Sequence, residues 1–319
     1  MRMVGFALWL LLGWCTATLA QVYPAKSLRW IVPFAAGGPV DLLSRAIAKP
    51  LADNLGQPVI VENRASSSGI VGVEAAVKSA PDGYTMLSHA SLAPQKFLYR
   101  SLPYDCQRDL APISLIARSN LVLFLHESVP ARTLEEFVAY AKANPGKLAY
   151  GSSGLGQPFH LAMEVLKQRA GIDLLHVPYK GAAQVIPEFI AGRIQAMFFN
   201  AVPQLLAQAK SGKVRPLAVA ATRRMEDLPA VPTFAEAGMA DVDVSGLVAV
   251  SAPAGTPREV IDRQNRELVR VIGMPDIAAV YAKLNFVPAT STPEAMAQII
   301  QGEIDRLGPL ITRLGVTLD

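Results

Sequence analysis

The chain has 319 residues, of which 51% are hydrophobic and 18% charged, with a formal net charge of +4. That composition can bury a sizeable core and excludes a disordered chain, and the length is about twice that of a typical single domain, so two lobes are expected. Lys and Arg are scattered, with Arg223-Arg224 the one adjacent pair, so the basic stripe of a nucleic-acid binder is absent from the sequence.

In chain order, residues 1–20 come first. Arg2 precedes an apolar run over 4–15, and "TATLA" follows, with Thr18 and Ala20 at the small positions of a cleavage site. This reads as a secretory signal peptide, too short to span a membrane, with the mature chain starting at Gln21. Trp14 before Cys15 argues against a lipoprotein. The mature chain then holds one cysteine, Cys106, in "PYDCQRD" with no histidine nearby, so it reads as a bystander with no internal disulfide. Export also disfavours ATP and NAD, and no cofactor is expected.

From residue 21 strands and helices alternate. A strand over 28–34 runs into a helix over 39–55 with Val40, Leu43, Ile47 and Leu51 on one side; Gly56 suits its C-cap and Pro50 should kink it. A strand (58–62), a helix (69–79) and a strand (84–88) complete a βαβαβ pattern, the signature of a parallel sheet covered by helices. The pattern restarts with a strand (148–151), a helix (159–169) and a strand (173–177). A helix (182–191), a strand (194–199), a helix (204–211) and a strand (214–221) follow. Extended stretches over 112–128 and 242–257 are long enough to carry the chain between the two units and back, and the helical tail over 258–319 is expected to pack on the first unit. The fold class is therefore α/β: a clamshell of two lobes with two crossings, residues 21–120 plus 246–319 forming lobe 1 and 121–245 forming lobe 2.

In open α/β sheets ligands bind beyond the carboxyl ends of the strands. Six strand-to-helix turns qualify: "PFAAGG", "NRASSSG", "SHASLA", "GSSGLGQP", "YKGAAQ" and "FNAVPQ". They are rich in Gly, Ser, Ala, Asn and Gln, and several feed helix N-termini, whose free N–H groups and dipole favour an anion.

The glycine turn at Gly37-Gly38 fits no nucleotide, because Pro39-Val40 stand where a P-loop needs Lys and Ser/Thr. "GSSGLG" has the spacing G-x-x-G-x-G, not that of a dinucleotide loop. A tight packing turn and a backbone anion cradle remain alternatives at both. G-x-S-x-G fails at Leu155, leaving a Ser-His pair with His89 or His160 as the weaker hydrolase alternative. The histidines at 89, 126, 160 and 176 form no ligand-spaced cluster, so no metal site is expected. Asp41, on the first turn of its helix, reads as a dipole partner and backbone hydrogen-bonder without a partner carboxylate.

"YPAKSLRWIVPFAAGGPVD", "LGQPVIVENR", "PDGYTML", "LPYDCQRDLAPIS", "KANPGKLAYGSSGLG", "HVPYKGAA", "LPAVPTFAEAG" and "APAGTP" together resemble the Bug family, the periplasmic substrate-binding receptors of tripartite tricarboxylate transporters. The resemblance covers the whole mature chain in order. It implies a type II, Venus-flytrap periplasmic-binding-protein fold, a periplasmic location and a small carboxylate ligand. It also implies transporter membrane components as partners; with no catalytic constellation among the residues the chain reads as a binding protein and not an enzyme, a monomer is the default, and a clamshell that reports its ligand to a membrane sensor is the alternative. Carried over by position, it places Phe34, Ala35, Gly37, Gly38, Asp41, Ser88 and His89 on the first-lobe rim. On the second-lobe rim it places Ser152, Ser153, Gly154, Gln157, His160, Tyr179, Gly181 and Asn200. The chain departs from the family at Ala35-Ala36 for two prolines and at "NRASSSG" for N-R-P-G-A-G-G. Gln95-Lys96, Leu247, Ala249 and Asn200 also differ, the last from a frequent Asp. These changes bear on ligand identity and leave the fold expectation intact.

Overall fold

The computed structural model describes residues 23–319 apart from 35, 67–68, 180–181, 241, 243–245, 316 and 319. The expected signal peptide, Ala35 and Gly181 lie outside the described residues.

The first unit opens with β1 (Leu28–Val32), α1 (Pro39–Leu55), β2 (Val59–Asn63), α2 (Ile70–Val77) and β3 (Thr85–His89). Leu43, Ile47 and Leu51 of α1 are fully buried, as the helical period requires, and the helix runs unbroken through Pro50 to a left-handed Gly56 cap. A short α3 (Gln95–Leu98) leads into β4 (Leu110–Ser119), and Asn120 alone separates β4 from β5 (Leu121–His126).

β5 belongs to the other sheet. The second unit continues with α4 (Leu134–Ala143), β6 (Ala149–Ser152), α5 (Pro158–Ala170), β7 (Leu175–Pro178) and α6 (Ala182–Ile190). β8 (Ala196–Asn200), α7 (Pro203–Lys210) and β9 (Val214–Ala220) complete it. The chain then returns through β10 (Gly246–Pro253) and ends with α8 (Arg258–Ile272), α9 (Pro275–Lys283), β11 (Phe286–Pro288) and α10 (Pro293–Leu314).

The first sheet has the order β11-β4-β10-β3-β1-β2 and the second β7-β6-β8-β5-β9. β1 is parallel to β2 and β3, and β6 to β7 and β8, while the crossing strands β4, β5 and β10 pair antiparallel. β5 is buried on both faces. Its alternating side chains divide between two cores, Leu121, Leu123 and Leu125 in one and Val122 and Phe124 in the other. In the first lobe Trp30, Leu43, Ile47 and Leu268 share a core between the sheet, α1 and α8.

The helical tail does more than cover the first sheet. Met296 packs there with Leu115 and Leu247, but Leu307, Leu310 and Ile311 join the second lobe's core, so α10 bridges both lobes.

Candidate functional site

The first wall of the inter-lobe cleft is the turn after β1. Gly37 adopts φ +78°, and Gly38 caps α1 with extended backbone and no side-chain hydrogen bond. Asp41 holds this turn from beneath: Oδ2 accepts the Gly37 N–H at 2.8 Å and Arg45 Nε at 3.0 Å, and Oδ1 accepts Asn63 Nδ2 at 2.8 Å. Asn63 Nδ2 also donates to the Phe34 carbonyl at 3.1 Å. Burial pushes the Asp41 carboxyl up, but the Arg45, Gly37 and Asn63 bonds together outweigh it and hold it below the usual carboxylate range. α2 lies against the turn; a Cβ on Gly72 would come within 2.7 Å of Pro33 Cα, so only glycine permits that approach.

Ser88 and His89 end β3 facing inward. Ser88 Oγ accepts the Trp30 indole N–H at 2.9 Å and lies 2.9 Å from Ser44 Oγ. His89 Nδ1 is 2.7 Å from the Ala90 carbonyl and Nε2 2.9 Å from Ser251 Oγ. A ring nitrogen facing a carbonyl must carry the proton, so Nδ1 donates and neutral His89 accepts from Ser251. Burial pushes its pKa down to about 4, against the opposing pull of the Ala90 hydrogen bond. This ladder fixes the strand end and leaves Ala90, Ser91 and Leu92 lining the cleft.

The second wall is the turn between β6 and α5. Ser152 Oγ accepts the Gly154 N–H at 3.2 Å and lies 2.7 Å from His176 Nε2. His160 Nδ1 accepts the Gly156 N–H at 3.0 Å. His160 stacks on His176 at 4.1 Å and His176 on Tyr150 at 4.7 Å, with Tyr150 6.4 Å from His160, so three buried or half-buried rings cluster behind the turn. Burial, then the Lys167 charge, lowers His160 to about 4; burial, then His160, lowers His176 to about 4. Both rings are therefore neutral at pH 7. Tyr150 donates to Glu164 Oε1 at 2.5 Å, and Tyr179 is tied in through its N–H to the Ser152 carbonyl at 3.0 Å.

Between these walls lies a cleft of about 370 Å³, within the usual range for small-molecule sites. Of the residues expected on the rims, Phe34, Gly38, Ser153, Gln157 and Asn200 line it. Asp41, Ser88, His89, Ser152 and His160 are buried behind it, while Gly37, Gly154 and Tyr179 shape the turns without lining it. The N-caps of three helices, Gly38 of α1, Gly69 of α2 and Gln157 of α5, all line the cleft, and none makes a side-chain cap. Pro39 and Pro158 open α1 and α5 without an N–H, and the Val71 N–H of α2 donates to Ser66 Oγ at 3.3 Å, so it is the remaining first-turn N–H groups that suit an anion.

The Ser-His alternative lacks geometry. Ser152 and His176 do meet, but Ser152 is 1% exposed and serves the turn, while His89 and His160 spend the nitrogens described above on Ala90, Ser251 and Gly156. Among the described residues no group of three or more His, Cys, Asp or Glu can hold a metal, and no helix is long and apolar enough to cross a membrane. Cys106 is buried and unbridged, and burial, then Asp105, raises its thiol to about 11.

Sequence reasoning missed a third wall. Gln95, Leu98 and Tyr99 line the cleft from in and beside α3, and Glu303, Arg306, Leu307 and Leu318 from the C-terminal segment. A Cβ on Gly156 would lie 2.8 Å from a Leu98 methyl and 3.0 Å from a Leu318 methyl, and the Leu318 N–H donates to the Leu98 carbonyl at 2.7 Å. Apart from Gln95, noted in the sequence as a departure from the family, no local pattern marks these residues, because the packing of the distant tail brings them together.

The model for the tripartite tricarboxylate transporter family receptor matches residues 43–316. Protein BugT of Bordetella pertussis is 35% identical over 302 residues, 94% of this chain and 92% of that protein. The structure of Rpa4515 from R. palustris with adipate superposes with a TM-score of 0.78 at 30% identity, covering 93% of this chain and 100% of the other. MatC of Rhodopseudomonas palustris with bound malate gives a TM-score of 0.73 at 26% identity, covering 91% of this chain and 100% of the other. With the match spanning both lobes and the cleft between them, the chain belongs to the tripartite tricarboxylate transporter receptor family, the Bug proteins.

Proposed function

We propose that this protein is an exported, monomeric receptor. It captures a small carboxylate between lobe 1 (21–120 plus 246–319) and lobe 2 (121–245) in the periplasm and presents it to the membrane components of a tripartite tricarboxylate transporter. The observation that carries the reading is the convergence of three helix N-termini, at Gly38, Gly69 and Gln157, on one cleft. Adipate in Rpa4515 and malate in MatC, two proteins of similar fold, support the carboxylate. In this reading Phe34, Gly38, Ser153, Gln157 and Asn200 face the ligand. Gly37, Asp41, Ser88, His89, Ser152, Gly154, His160 and Tyr179 keep the turns in place. The protein binds and releases its ligand unchanged. The apolar leader supports export.

The test is a thermal-shift screen of mature protein, unfolded and refolded to strip bound ligand, with small acids and their primary amides. At a hundred times its dissociation constant a ligand adds ~2.7 kcal/mol, a shift of several degrees. An acid that shifts the melt while its amide is silent is the expected result; equal shifts from acid and amide would contradict the carboxylate reading.

A further inference from the structure

The cleft differs from a site made for a highly charged acid. Its lining includes Phe34 and Val40 from the first lobe, Phe159 and Leu161 from the second, and Val248 and Phe286 near the crossings. Among the described residues only two lining side chains are of charged type, Glu303 and Arg306, both on α10 and opposite in sign. Glu303 Oε2 accepts the Ser91 hydroxyl at 2.8 Å, so a carboxylate already stands against the cleft wall. Asn200, at the base beside Leu121, adds no charge.

A tricarboxylate or a hydroxy-dicarboxylate carries two or three charges and hydroxyls that lose water on entry, and each must find a partner inside. The helix N-termini can neutralise one carboxylate through N–H groups. A second would have to face Arg306 with Glu303 one helical turn away, because the polar side chains that also line the cleft, Ser91, Ser119, Ser153, Gln157 and Asn200 among them, carry no charge to offset it. An aromatic body instead matches the apolar lining, with its ring against the Phe34, Phe159 and Phe286 side chains.

We propose that the ligand is a monocarboxylate with an aromatic body, its carboxylate at the helix N-termini and its ring against the Phe34, Phe159 and Phe286 surface. This deepens the carboxylate reading above and rests on it. The experiment is isothermal titration of the stripped, refolded protein with phenylacetate, benzoate, adipate, malate and citrate. One of the two aromatic acids binds at least about tenfold more tightly than adipate, malate or citrate. Its heat-capacity change is negative, the mark of apolar burial. Phe159→Ala weakens that acid about tenfold or more. Because Phe159 also packs on Phe199 at 4.3 Å, Phe34→Ala is measured beside it, with ligand-free melting of each variant as the check on folding. Adipate, malate or citrate ahead of both aromatic acids overturns this inference and leaves the carboxylate reading standing. Aromatic binding that neither folded variant weakens overturns the ring placement. Silence of all five acids on a cooperatively melting protein overturns both.

Discussion

Asp41 shows how a buried charge can serve a binding site without touching the ligand. Its two oxygens accept from Gly37, Arg45 and Asn63, which leaves the carboxylate occupied and the Gly37-Gly38 backbone held at the cleft. Because its folded pKa lies below the unfolded value, the stability it adds is present above the unfolded pKa and is lost as pH falls through the folded one. Asp41→Asn removes the charge from three hydrogen bonds and is expected to cost about 2 kcal/mol in denaturant unfolding at pH 7, with ligand affinity falling as well. An unchanged unfolding midpoint would remove Asp41 from this role. Ser153 makes the opposite case. It is half-buried, lines the cleft and lies outside the ring cluster, so Ser153→Leu is expected to leave the melting temperature within about a degree and abolish acid binding. Intact binding in that variant would take the second-lobe turn out of the site.

At the level of elements, the two turns are rigid because buried networks sit behind them. His89, His160 and His176 all have folded pKa values of about 4, below the unfolded value of ~6.5. Between those two pH values the unfolded chain binds more protons than the folded one. The stability due to these rings is therefore complete above ~6.5 and is lost progressively as pH falls towards about 4; His89 alone accounts for on the order of 3 kcal/mol. Melting temperatures recorded from pH 7 to pH 4 should fall through that window. The fall should shrink in His160→Asn, whose amide oxygen can still accept the Gly156 N–H. A profile identical to wild type would take His160 out of the account. What was legible in the sequence was what repeats locally. The 3.6-residue period of α1, the glycine at its end and the apolar runs of β1, β5 and β8 belong to neighbours in sequence. α4 carried a usable signal, Thr133 three residues before Glu136, and Thr133 does cap the Glu136 N–H. β11, three residues paired to β4, and the reach of α10 across both lobes were not legible, because each depends on a partner far away in the chain.

At the scale of the molecule, the described residues join the lobes through the β4–β5 crossing at Asn120, the return into β10, and the C-terminal segment, whose Leu307, Leu310 and Ile311 enter the second lobe's core and whose Leu318 packs against Gly156. Asn285, at φ +55°, adds a side-chain bond from its Nδ2 to the Ala201 carbonyl at 2.8 Å, across the same divide. In the capture proposed above the lobes are expected to close on the ligand against these contacts, and a ligand favours the closed form only through greater affinity for it. Leu318→Ala removes methyls packed on Gly156 and is expected to lower stability by about 1–2 kcal/mol and to weaken ligand binding through a less favoured closed state. Lower stability with unchanged affinity would confine the tail to a structural role.

The rim residues were legible as glycine- and serine-rich turns after strands, because those turns are local. Which of them would face the cleft was not, since that depends on hydrogen bonds made by Asn63, His176 and Ser251 from other strands. The most direct test of the central claim is a crystal structure of the complex with the acid that gives the largest melting shift. The account places one carboxylate within about 3 Å, directly or through one water, of N–H groups at the first turns of both α1 and α5. A carboxylate paired with Arg306, or a ligand held by one lobe alone, would contradict it.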